Sequence, residues 1–240
     1  MGLTEYQRKR RFNVTPEPSG DKTEKKRSAS AKKKKALGYV IQKHRATALH
    51  YDFRLEWNGV LLSWAVPKGP SLDPTVKRMA MPTEDHPIEY AKFEGIIPEG
   101  EYGGGTVMIW DNGTWTPEVD DVDKALKKGE LKFSLQGKKL QGSWVLVRLR
   151  PRGEDKRAGW LLIKHRDEYA STRDIAEEEP RSVISKRILI EIARDEGGNL
   201  EKAATGDPPA LLRKLAKDPK LVTPPRKTGK KAVWHSNRAS

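Results

Sequence analysis

Leu49-His50-Tyr51-Asp52-Phe53-Arg54-Leu55-Glu56-Trp57-Asn58-Gly59-Val60-Leu61-Leu62-Ser63-Trp64-Ala65-Val66 is the stretch that decides the fold. Residues 49–56 alternate without a break. Leu49, Tyr51, Phe53 and Leu55 take one face of an extended strand and His50, Asp52, Arg54 and Glu56 the other, because successive strand side chains point to opposite sides. Asn58-Gly59 favours a two-residue hairpin loop, whose turn needs positive φ at both positions. Such a loop puts Trp57 opposite Val60 and sets the whole register. Arg54 then falls opposite Ser63, Phe53 opposite Trp64, and Asp52 opposite Ala65. Directly opposed residues share a face. Ser63 therefore joins Arg54 on the polar side, small Ala65 leaves room beside Asp52, and Leu62, Trp64 and Val66 extend the apolar side.

Outward from this hairpin, residues 38–165 continue as short strands broken by turn signals. Asn112-Gly113 carries the same two-residue hairpin signal, and Gly103-Gly104-Gly105, Gly137 and Gly142 punctuate further segments. Residues 107–110, 131–135, 143–150 and 160–165 read as strands, and 121–128, followed by Gly129, as one short helix. Residues 183–193 fit either a helix or a last strand. Beyond Gly197 the chain reads mostly as tail, with 209–216 a candidate helix. The fold class expected is mainly β: a small antiparallel β-barrel with one or two short helices and disordered basic tails. The divisions expected are an N-terminal segment (1–21), a basic linker (22–37), the barrel domain (38–196) and a basic tail (197–240). Trp64, Trp110, Trp115, Trp144 and Trp160 are assigned to the core rather than to base stacking.

Charge sharpens this division. Of a net +14 over 240 residues, 22–35 carry +7 and 213–240 carry +8, so the remainder sums to −1. Two basic arms flank a nearly neutral body. They suit a polyanion held by counterion release, and the plainer reading is solubilising tails or a targeting patch. The chain has no cysteine, which excludes disulfides and thiolate metal sites. It has no run of eighteen apolar residues for a helical membrane span and no apolar stretch near Met1 for a secretory signal, so a cytoplasmic location is the default.

Chemistry concentrates around the polar face. His44, His50 and Asp52 supply two nitrogens and an oxygen, a common ligand set for a divalent transition metal with open positions. The bland alternative is an exposed polar face with a stray histidine. Against it, three of the five histidines, His44, His50 and His86, fall within one 43-residue window. Arg54, Lys68 and Arg78 can hold a tetrahedral phosphate, with Ser63 adding a hydroxyl. His86 can act as a general acid or a phosphate donor, and Glu84 can orient it or a metal-ligand histidine. Tyr90 lies four residues past His86. The glycine-rich 94–105 is no phosphate loop, since no GK[ST] follows, and its glycines suit tight turns at a barrel rim. His165 and His235 are not assigned as ligands.

QKHRATALHYDFRLEWNGVLLSWAVPKGPSLDPTVKRMA (42–80), followed by EDHPIEY, FEGIIPEGEYGGG and VMIWDNGTWTP, closely resembles the 3′-phosphoesterase domain of bacterial DNA ligase D. LTEYQRKRRFNVTPEP (3–18) resembles that domain's N-terminal segment. The resemblance covers about 3–19 and 38–190. It implies a β-barrel active site and a manganese-dependent activity that removes a 3′-terminal ribonucleoside from a primer strand and then the 3′-phosphate, leaving a 3′-hydroxyl. By motif position, His44, His50 and Asp52 match the metal ligands, and Arg54, Ser63, Lys68 and Arg78 match groups around the phosphate. Glu84, His86 and Tyr90 match further active-site residues, and Arg10 and Glu17 match residues linked to substrate handling. One departure is Arg11, where the family usually has an aspartate. Its loss is expected to weaken ribonucleoside removal and spare phosphate-monoester cleavage. No ligase or polymerase domain falls within these 240 residues, so the resemblance implies a stand-alone version whose ATP-dependent ligase and end-joining partners are separate chains. The expected cofactor is Mn2+, with other divalent transition metals as alternatives. The expected substrates are DNA or RNA/DNA primer-template 3′ ends in non-homologous end joining, at the bacterial nucleoid. The rival readings are a nucleic-acid-binding barrel without chemistry and a scaffold that recruits a ligase.

Overall fold

The register imposed by Asn58-Gly59 is the one observed. In the computed structural model, strands β1 (Leu37–Arg45), β2 (Leu49–Trp57) and β3 (Val60–Val66) form a meander. Trp57 pairs with Val60, Arg54 with Ser63, Phe53 with Trp64 and Asp52 with Ala65. Asn58 and Gly59 both have positive φ (47° and 83°), as a type I′ turn requires. The structure describes residues 2–20, 36–150, 158–218 and 222. Most of the basic linker, and the tail beyond 218 apart from residue 222, lie outside the described residues, so their expected disorder is not addressed.

The remaining strands are β4 (Arg78–Pro82), β5 (Gly95–Ile97), β6 (Gly105–Pro117), β7 (Glu130–Gly137), β8 (Gln141–Arg148) and β9 (Trp160–Lys164). Eight of them close an antiparallel ring in the order β1-β2-β3-β4-β9-β8-β7-β6, with β6 returning to β1 and β5 lying on the other edge of β6. The inward faces pack one core. Phe53 stacks on Phe133 at 5.7 Å, and Trp64, Trp110, Trp115, Trp144 and Trp160 are all buried there, as expected of them.

Asn112-Gly113 is not a hairpin. Both lie inside β6, where Asn112 pairs with Val40 and Gly113 with Tyr39. Gly113 has a packing reason instead: a Cβ there would overlap the Gln136 carbonyl of β7, so glycine permits close approach of the strands. The register of β1 on β6 shifts between Ile41 and Gln42, leaving Trp110 as the extra residue of a β-bulge that turns its ring into the core.

Helices are more numerous than expected. Among the described residues they are α1 (Thr4–Arg8), α2 (Val122–Lys128), α3 (Ile175–Glu178), α4 (Leu189–Glu196), α5 (Leu200–Ala204) and α6 (Pro209–Lys217). The helix read at 121–128 is α2, capped by Asp121 and ended by Gly129 at φ 90°. The ambiguous 183–193 resolves as a loop leading into α4, whose Leu189, Ile192 and Ala193 join the barrel core. The stretch after Gly197, read from sequence as mostly tail, folds back through Lys217. Its buried Asp207 accepts hydrogen bonds from the N–H groups of Leu189 and Ile190 and so caps α4.

The polar face of β1–β3 faces neither the barrel interior nor open solvent. It is the outer wall of the barrel, and a second layer covers it. Tyr6 of α1 and Tyr90 of a 3₁₀ turn (Ile88–Lys92) pack with Leu61, and with Phe12, Ile88 and Phe93, over that wall. Polar side chains on this face are therefore buried between two layers.

Candidate active site

The pairing of β1 with β2 puts His44 opposite His50 and Gln42 opposite Asp52. One ligand atom from each of His44, His50 and Asp52 lies within 4.8 Å of the others. His44 Nδ1 is 3.5 Å and His50 Nε2 3.7 Å from the same oxygen, Asp52 Oδ2. The other nitrogen of each ring meets a carbonyl, His44 Nε2 at Gly103 (2.8 Å) and His50 Nδ1 at Ala48 (3.0 Å). A carbonyl only accepts, so those nitrogens carry the protons and the two remaining lone pairs converge on the carboxylate. Histidine ligands of metals are held in this way. Burial lowers the pKa of His50, partly offset by Asp52, and keeps the ring neutral. Burial alone would raise Asp52, but the Arg54 guanidinium holds it far below the usual carboxylate range. Two imidazole nitrogens and an ionised carboxylate oxygen fit a divalent transition metal.

Arg54 joins this trio to a second cluster. Its Nη2 lies 3.1 Å from Asp52 Oδ2, its Nε donates to Gln42 Oε1 at 2.8 Å, and its Nη1 donates to Ser63 Oγ at 2.9 Å. Nη1 also lies 2.8 Å from Nδ1 of His86. The buried ring of His86 is held between two guanidiniums, with Arg10 Nη2 3.2 Å from its Nε2. Burial first, then Arg54 and Arg10, push its pKa well below the ordinary histidine value. The same Nδ1 also lies 2.8 Å from the Glu84 carbonyl, so it stands between a donor and an acceptor, while Nε2 faces Arg10. Arg10 comes from the N-terminal segment and also donates to Glu17 at 2.8 Å and to Glu84 at 3.0 Å. Tyr90 donates to the same Glu17 oxygen at 3.0 Å. The segment 2–18 is thus bound into the site through charged side chains.

Residues 42–148 match the family model of the DNA Ligase D 3′-phosphoesterase domain. Over these residues the chain belongs to that family. It is 52% identical over 191 residues to the multifunctional non-homologous end joining protein LigD of Pseudomonas aeruginosa, covering 78% of this chain and 22% of that protein. It is 46% identical over 148 residues to the LigD repair protein of Mycobacterium tuberculosis, covering 61% of this chain and 18% of that protein. Against the LigD protein of Mycolicibacterium smegmatis it is 39% identical over 171 residues, covering 69% and 21%. The chain therefore spans about a fifth of the length of these relatives.

Within this phosphoesterase domain the structure brings together His44, His50, Asp52, Arg54, Ser63, Glu84, His86, Tyr90, Arg10 and Glu17. Lys68 is exposed in the turn after β3, and Arg78 opens β4 opposite Leu162, its Nε buried without a partner. Among the described residues neither shares a hydrogen bond or ion pair with the Arg54 cluster. Glu84 does not orient a metal-ligand histidine. Its carboxylate pairs with Lys9 (3.1 Å) and Arg10, and only its backbone carbonyl meets His86. Burial would raise the Glu84 carboxyl, but its hydrogen bonds and Arg10 keep it lowered and ionised. Sequence reading missed Gln42, fully buried, whose amide donates to the carbonyls of Tyr90 (3.1 Å) and Phe93 (2.9 Å) while its oxygen holds Arg54. The signal was available: Gln42 sits two residues before His44 and shares its strand face. Arg11 forms an ion pair with Glu101 in the glycine-rich loop.

Proposed function

We propose that the chain is a metal-dependent phosphoesterase that heals DNA 3′ ends, removing 3′-terminal ribonucleosides and 3′-phosphates to leave a 3′-hydroxyl during non-homologous end joining. The observation that carries this reading is the convergence of His44, His50 and Asp52 with Arg54 linking Asp52 to Ser63 and His86. Family membership supports the phosphoesterase class. His44, His50 and Asp52 would hold Mn2+ or another divalent transition metal, which supplies Lewis-acid polarisation of a phosphate oxygen. Arg54, with Arg10 across the His86 ring, neutralises charge developing on the phosphate, and Ser63 orients Arg54. His86 is neutral at rest, so it enters as a proton acceptor or hydrogen-bond partner rather than as a resting acid. Lys68 and Arg78 are proposed to add their charges to the grip on the phosphate.

The proposed substrates are DNA or RNA/DNA primer-template 3′ ends, and the proposed partners are an ATP-dependent ligase and other end-joining proteins. No helix among the described residues is long and apolar enough to cross a membrane, and the proposed location is the bacterial cytoplasm, at the nucleoid. Residues 38–196 are proposed as the catalytic unit, with 1–21 completing its site. The test is incubation of 3′-phosphate and 3′-monoribonucleotide primer-templates with and without manganese. Metal-dependent appearance of a 3′-hydroxyl supports the reading. Binding without cleavage would leave a nucleic-acid-binding barrel.

A further inference from the structure

The glycine-rich loop between β5 and β6 does more than turn a corner. Gly104 N–H donates to the Glu101 carbonyl at 2.9 Å and Gly103 has φ 78°, which makes Glu101–Gly104 a type II turn with Tyr102 at its tip. Three contacts tie this turn to the site. Glu101 pairs with Arg11, the Gly103 carbonyl accepts from the metal-trio residue His44 at 2.8 Å, and Lys202 donates to the Gly104 carbonyl at 3.0 Å. The turn is therefore held rigidly, and a large aromatic ring stands 50% exposed at its tip.

The ring lies beside two cations, one of them Arg10 of the site. Lys9 Nζ is 4.8 Å and the Arg10 guanidinium carbon 5.6 Å from its centroid. Arg10 in turn reaches His86. Tyr102 thus flanks the site between the trio, one residue away through Gly103, and the Arg10–His86 pair. An exposed ring on a braced turn next to a phosphate site is what a nucleobase needs for stacking, because every base presents a π face. Two other aromatics of this layer, Tyr6 and Tyr90, are buried and already donate to the Pro18 carbonyl and to Glu17.

The geometry points to Tyr102 as the platform on which the base of the 3′-terminal nucleotide stacks. This rests on the 3′-end reading above and adds what positions the end. It makes Tyr102 a substrate-positioning residue that acts through affinity.

The test uses the full chain with manganese and two 3′-phosphate primer-templates, identical except that the terminal nucleotide carries a base or is an abasic tetrahydrofuran. Tyr102→Ala is expected to raise KM roughly tenfold on the base-bearing end, with kcat nearly unchanged, and to move KM on the abasic end less than about twofold. Tyr102→Phe keeps the ring and is expected to restore KM to within about twofold. Manganese affinity stays constant in both variants, since His44 is held by a backbone carbonyl. An equal loss on both ends, or no loss on either, overturns the assignment and leaves Tyr102 a brace for Lys9. If the unaltered protein cuts neither end, the 3′-end reading itself falls. If it cuts both and Tyr102→Ala changes nothing, only the stacking assignment falls.

Discussion

Arg54→Ala separates two roles that the geometry gives one side chain. The guanidinium lies 3.1 Å from Asp52 with both side chains almost wholly buried. Removing one partner of a buried ion pair costs about 3–5 kcal/mol, because the other charge is left uncompensated. At about 2–4 °C per kcal/mol for a chain of this size, the metal-free melting temperature should fall by roughly 6–20 °C. Asp52 then remains between two imidazole lone pairs with no cation beside it. A bound dication becomes its principal counter-charge, so manganese should bind more tightly than in the unaltered protein and raise the melting temperature further. Activity on a 3′-phosphate end should nevertheless fall by about 10²–10³, as when one charge-stabilising donor is removed from a transition state. The assay is thermal melting with and without manganese, isothermal titration of the metal, and single-turnover cleavage. Weaker metal binding in the variant would show that Arg54 holds the trio in place rather than balancing its charge. Activity close to that of the unaltered protein would refute the phosphate role.

Further outcomes follow from other contacts. His50 and His86 both have lowered pKa values, burial being the largest cause in each. The unfolded chain takes up protons on these rings below about pH 6.5 while the folded one does not, so stability should drop from there downward by up to about 1.4 kcal/mol per pH unit for each ring. Urea melts between pH 7.5 and 5 measure this, and a slope unchanged in His86→Gln would discount that ring. Gly113→Ala should destabilise by about 1–3 kcal/mol, since its Cβ meets the Gln136 carbonyl and β6 and β7 must part. A denaturation midpoint equal to that of the unaltered protein would contradict the close approach. Arg11→Asp should raise ribonucleoside removal relative to 3′-phosphate removal while placing a carboxylate against Glu101. An unchanged ratio of the two activities would dispose of the role given to position 11.

Legibility followed the range of each interaction. The Asn58-Gly59 hairpin was readable because turn and alternation are local, and from it came the placing of Ser63 beside Arg54. Asn112-Gly113 misled for the same reason. The signal is local, but Gly113 is chosen by a neighbouring strand more than twenty residues on. Alternation showed that His50, Asp52 and Arg54 share a face, but not that the face lies outside the barrel under α1 and Tyr90. That covering layer depends on pairs such as Arg10 with Glu84, 74 residues apart, which no spacing rule reveals. Lys68 and Arg78 were grouped with Arg54 by charge and family likeness, and among the described residues neither is bonded to that cluster. The fold-back of 197–217 was hidden by its polarity, since one buried carboxylate, Asp207, and one buried alanine, Ala203, tie it down.

Crystals grown with manganese and read by anomalous scattering at the manganese edge test the central claim most directly. The account predicts one peak about 2.0–2.3 Å from His44 Nδ1, His50 Nε2 and a carboxylate oxygen of Asp52, with Arg54 still beside the carboxylate. A peak bound by other residues, or no peak at a manganese concentration that supports cleavage, would contradict it.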